Sequence, residues 1–97
     1  MAKKNYDIVK VTWVDAEEYG DTGWNTLKEQ LAHAKKPCPE MVSIGFLVHH
    51  SKEHVALLST IGKKDCSTLE KIPAGFIVKI ETLGISKKKD PTVSSKK

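Results

Sequence analysis

Met41–Ile61, MVSIGFLVHHSKEHVALLSTI, is the stretch whose reading decides the fold. Met41 to Val48 and Val55 to Ile61 are rich in β-branched and aromatic residues, the composition of a pleated, packed surface. Between them His49 to His54 is polar, with Ser51 and Lys52 where a turn has its tip. The pattern predicts an apolar β-hairpin. A hairpin of this kind belongs in the middle of a sheet, with the rest of the chain wrapped around it. Gly45 interrupts the first strand, and glycine weakens a strand unless it marks a bulge, a bend or a close backbone approach. The bend that closes a small barrel is the expectation here.

Upstream, Tyr6 to Val14 reads as a strand. Val9, Val11 and Trp13 alternate with Lys10 and Thr12, and Ile8 and Val14 add a second, partly apolar face. Asp15 to Gly23 then supplies acids and two glycines, a loop or a single helical turn. Thr26-Leu27-Lys28-Glu29 has capping-box spacing, and Asp21 or Thr22 is an earlier candidate cap that places Trp24 in the first turn. Leu27, Leu31 and Ala34 share one face of the predicted helix, and Lys35 and Lys36 suit the negative end of its dipole. Pro37-Cys38-Pro39 stops it. This helix is expected to pack over one open end or face of the sheet.

Downstream, Gly62 to Asp65 is a turn and Cys66 to Leu69 a short fourth strand. Lys71 to Gly75 reads as a tight helical turn, and Phe76 to Leu83 as the last strand with Phe76, Val78 and Ile80 on one face. The expected fold is therefore mainly β: a small five-stranded SH3-like or Sm-like barrel over residues 1–85, with one short helix inserted after the first strand. The alternative is an open four-stranded antiparallel sheet with one helix across it. Residues 86–97 carry lysine and serine with almost nothing apolar, a tail expected to be disordered.

Charge is unevenly placed. The chain has 16 basic side chains, all lysine, against 12 acids, for a net charge of +4. Lys87, Lys88, Lys89, Lys96 and Lys97 against Asp90 hold the whole surplus, so the part before the tail is balanced. A balanced domain without arginine argues against a dedicated nucleic-acid groove. Weak electrostatic contact with nucleic acid through the lysine tail stays open. No apolar run approaches the roughly eighteen residues of a membrane span, and Met1 to Tyr6 lacks the apolar segment of a secretory signal. The expectation is a cytoplasmic chain, no membrane partner, and Cys38 and Cys66 as semi-buried free thiols.

Five motifs run through the chain: Trp13-x-Asp15-Ala16, Gly23-Trp24, Ser43 to Val48, Val55 to Thr60, and Ile72-Pro73-x-Gly75-x-Ile77-x-Lys79-Ile80-x-x-Leu83. In that order the sequence resembles a group of short SH3-like proteins encoded by tailed bacteriophages. The resemblance implies an accessory protein acting in the bacterial host cytoplasm, of the anti-defence kind, and brings no catalytic residues with it.

No catalytic set assembles from the residues. Adjacent strand positions point to opposite faces, so His49 and His50 do not share an ion easily, and His50 with His54 across the turn lacks a third ligand. Neither cysteine has a Cys-x-x-Cys partner or an assigned base. Asp15, Glu17, Glu18 and Asp21 do not match a calcium loop. The expectation is no enzyme, no metal and no cofactor. Trp13 and Trp24 are either core or, for Trp24, the edge of a ligand or subunit interface.

Three functions follow. The first is a binding module that captures a small phosphate-bearing ligand, a nucleotide signal, in a homo-oligomer. Trp24, Phe46 and Phe76 would be its apolar walls, and Ser59, Thr60 and Lys79 its phosphate contacts. The second is an adaptor that binds a host or virion protein through an exposed strand edge or an SH3-type groove. The third is a small barrel that binds RNA or DNA with its tail. Uncovered strand edges make a homo-oligomer the expectation.

Overall fold

A computed structural model describes residues 5–86 of the chain. Its elements are β1 (Tyr6–Val14), α1 (Leu27–Ala34), β2 (Glu40–His50), β3 (His54–Leu58), β4 (Leu69–Pro73), a 3-10 turn (Ala74–Phe76) and β5 (Ile77–Ser86). All five strands form one antiparallel sheet in the order β4-β3-β2-β1-β5. The fold is mainly β, with five strands where the alternative had four. The lysine-rich segment after Ser86 lies outside the described residues. Among the described residues no helix is long and apolar enough to cross a membrane.

The β2–β3 hairpin sits inside the sheet as its composition requires, with β2 the middle strand. Val9, Val11, Val55, Leu57 and Ile72 form the buried cluster, and Trp13, Leu47, Ile77 and Ile80 pack against it. These residues come from all five strands, because the sheet is curled. In a flat sheet β4 and β5 would run roughly 19 Å apart, four strand spacings. Only Ala74–Phe76 separates Pro73 from Ile77, a link that spans at most about 15 Å. The backbone N–H of Ala74 donates to the Glu53 carbonyl at 2.8 Å, which ties this link to the β2–β3 turn. Among the described residues β4 and β5 do not pair, so the curl stops short of closure.

Several local expectations give way to packing. Gly45, expected at a closing bend, pairs in regular register with Val9, and the irregularity in β2 falls between Leu47 and His49. A Cβ at Gly45 would lie 2.9 Å from the Leu58 carbonyl oxygen and 3.4 Å from the Leu57 Cβ, so glycine is there for close approach to β3. β4 begins at Leu69, where the sequence placed it at Cys66, because Ile72 is the side chain that reaches the core and Val55 pairs with it. Residues Lys71 to Pro73 are therefore strand, and the helical turn is pushed on to Ala74–Phe76.

In β5 the alternation of Phe76, Val78 and Ile80 fails. Thr12 pairs with Lys79 and Trp13 with Ile77, which leaves Val78 as an extra residue. That bulge turns Ile77 and Ile80 inward together, while Val78 stays 57% exposed.

The largest correction concerns α1. It forms where the apolar spacing put it, yet none of its residues is buried. Leu27, Leu31 and Ala34 point to solvent, and the Thr26 side chain makes no capping hydrogen bond. The insert is held by its own polar contacts. The Gln30 amide donates to the Tyr19 carbonyl at 2.9 Å, His33 Nε2 lies 3.3 Å from Glu17 Oε1, and the Tyr19 and His33 rings stack at 3.6 Å. Asn25 closes the loop, accepting from the Asp21 N–H at 2.9 Å and donating back to the Asp21 carbonyl at 3.0 Å.

Candidate functional site

β2 pairs with β1 over its first half and with β3 over its second, and has a strand on both sides only at Phe46. On the β1 side its register runs from Glu40, opposite Val14, to Phe46, opposite Ile8. On the other side β3 begins to pair only at Phe46, opposite Leu58. Glu40 to Gly45 therefore has no strand beside it there. The cause lies in the connection after Leu58. Ser67 Oγ accepts the backbone N–H of both Ser59 (3.0 Å) and Thr60 (3.2 Å), and the Ser67 N–H donates to the Thr60 carbonyl at 2.9 Å. These bonds, with the Ile61–Cys66 bridge, divert the chain away from β2.

The opening is a shallow cleft of about 390 Å³ lined by Ile44, Leu57, Ser59, Thr68, Leu69 and Glu70. Ile44, Val42 and Leu69 are all more than half exposed around it. Beneath it runs a hydrogen-bonded chain: the Trp13 indole N–H donates to Ser43 Oγ at 3.0 Å, and that hydroxyl donates to Glu70 Oε2 at 3.1 Å. Trp13 is thus half-buried against the core with its one polar atom satisfied, and the exposed Glu70 is held at the wall of the cleft. A row of unpaired backbone groups beside apolar side chains is a template for an incoming strand.

Of the six residues expected to hold a ligand, Phe46 pairs with Leu58, and Ser59 and Thr60 follow Leu58 directly along the chain; only Ser59 lines the cleft. The other three do not join them. Lys79 pairs in register with Thr12, four residues along β1 from the Ile8 that faces Phe46, and its ammonium lies 3.9 Å from Glu81. Phe76 closes the 3-10 turn near Glu53, at the opposite end of β3 from Ser59. Trp24 stands alone in the insert, wholly exposed, so the core reading of it is overturned.

His49 and His54 stack at 4.7 Å across the turn, whereas the sequence had paired His50 with His54; the bulge at Val48 moves His49 into that place. Among the described residues no three His, Cys, Asp or Glu side chains converge as metal ligands. Cys38 and Cys66 are free and exposed rather than semi-buried.

The sequence reading missed Val42, Ile44, Leu69 and Glu70. The signal was present: Val42, Ile44 and Phe46 alternate on one face of β2, while Ser43, Gly45 and Leu47 on the other are the residues that meet the core strands. One apolar face too many means one face turned outward. No protein-family model, curated protein or solved structure matches the chain.

Proposed function

We propose that this chain is a non-enzymatic adaptor of the small SH3-like barrel type that binds an extended segment of another protein along the open half of β2. The observation that carries the reading is the one-sided pairing of Glu40 to Gly45, with Val42, Ile44 and Leu69 exposed beside it. A segment added there gains main-chain hydrogen bonds to β2 and places alternate apolar side chains against Ile44 and Leu69. Glu40 and Glu70 favour a segment with lysine or arginine between its apolar positions. The order of the strands and the short link from β4 to β5 support a barrel that such a segment would help to close. The resemblance of the Trp13, Gly23-Trp24 and Ile72-Pro73 motifs to short tailed-phage proteins supports an accessory role in the bacterial cytoplasm, against a host or virion protein.

The test is a photo-crosslinking amino acid at position 44 of the full chain, expressed in bacteria. One partner protein should be captured, and Leu69→Lys should abolish the adduct while leaving the urea midpoint unchanged. Equal capture from position 63, on the distal turn, contradicts the reading. Retention of a nucleotide by the purified protein in native mass spectrometry, with no adduct at position 44, replaces it by ligand capture.

A further inference from the structure

The insert, residues 15–39, carries a second surface independent of the β2 edge. Trp24 is fully exposed, Leu27 is 71% and Leu31 56% exposed, and Ala34 is exposed beside them. At about 100° per residue Leu27, Leu31 and Ala34 share one face, while Gln30 and His33, which bind the Glu17–Tyr19 loop, lie on one flank of it, about 40° and 100° beyond Ala34. The loop contacts therefore fix α1 in place without using its apolar face. An isolated helix shorter than about twelve residues is marginal in water, and this one has eight, with no buried residue and no side-chain cap. The face is uncovered, on a helix that the loop contacts alone hold in place.

Its layout says what covers it. From Asp15 to Thr26 the insert has four acids and no lysine; from Gln30 to Pro39 it has Lys35 and Lys36 and no acid. Such a segregated pattern complements itself when two copies run antiparallel and repels itself when they run parallel. The side chains agree. An antiparallel pairing centred near Glu29 sets Leu27 opposite the partner's Leu31, and brings the bulky Trp24, in the loop just ahead of α1, to the end where the partner's small Ala34 lies. It brings Lys35 and Lys36 beside the partner's Asp21. The helix dipoles also oppose.

We propose that the insert is a self-association surface, in which two copies of the chain pack α1 against α1, antiparallel, about a two-fold axis. Such an interface is isologous, each contact occurring twice. Trp24, Leu27 and Leu31 expose on the order of 400–500 Å² per copy, so the pair buries about 1,000 Å², the lower bound for a specific interface. The dimer is therefore reversible and concentration-dependent.

Sedimentation of the full chain from about 10 μM to about 1 mM tests this. The expected result is a reversible monomer–dimer equilibrium. Leu27→Lys should weaken it at least about 30-fold by placing charge at the centre of the interface. Ala34→Trp should weaken it about 10-fold by collision with the partner's Trp24, and Trp24→Ala added to Ala34→Trp should restore it. These positions are exposed, so circular dichroism should show all variants folded. A monomer at every concentration overturns the proposal, as does a dimer or larger species that Leu27→Lys leaves intact. Loss with Leu27→Lys but no rescue by the double substitution overturns the antiparallel pairing.

Discussion

Trp13 lies against the buried cluster and gives its indole N–H to Ser43, whereas Trp24, eleven residues on, touches nothing in its own chain. The difference is that between the sheet and the insert that follows β1. The sheet buries Val9, Val11, Val55, Leu57 and Ile72 against one another and leaves a second set, Val42, Ile44, Leu69 and Val78 among them, on its outer surface. The insert is held by polar contacts among Glu17, Tyr19, Asn25, Gln30 and His33, and its apolar residues face outward. Contiguous apolar surface of this kind is what protein interaction sites are commonly built from. In this molecule the sheet holds the buried cluster, and the insert and the open half of β2 carry the exposed apolar residues on which the two proposals rest.

Substitutions in the two regions should therefore separate. Ile72→Ala has the largest expected effect, a loss of about 2–4 kcal/mol in urea unfolding, because Ile72 is the only β4 side chain in the buried cluster. Gly45→Ala comes next. Its methyl group meets the Leu58 carbonyl at 2.9 Å, so the β2–β3 pairing must shift at a cost of about 1–3 kcal/mol. Thr26→Ala sits at the other extreme. A capping threonine normally contributes about 1 kcal/mol, but this hydroxyl makes no capping bond, so the unfolding midpoint should barely move. A Thr26→Ala loss as large as that of Gly45→Ala would blur the distinction between the two regions.

The sheet was legible in the sequence where one residue type had one role. β1 spans Tyr6–Val14 as its alternation implied, and the hairpin from Met41 is central because nothing else is apolar enough to be. Legibility failed where tertiary contacts chose between equal local options. Val78 and Ile77 are equally apolar, and only the bulge opposite Thr12 and Trp13 decides which turns inward. The Leu27–Leu31–Ala34 stripe correctly marked a helix, but a stripe records that a face is apolar and not whether the same chain covers it. The open edge of β2 was illegible for a related reason. It exists because Ser67 captures the Ser59 and Thr60 amides, a contact no periodicity encodes.

Native-state hydrogen exchange on the full chain, at a concentration where it is monomeric, tests the contrast most directly. Exchange reports local opening free energies, which range from near zero to the global value. The amides of Val9, Val11, Val55 and Leu57 should exchange only through global unfolding, and those of α1 by low-energy local opening, gaining protection as concentration rises. Protection of α1 equal to that of β1 and β3 in the monomer would contradict the account, because the insert would then belong to the fold's stability and not to its contacts.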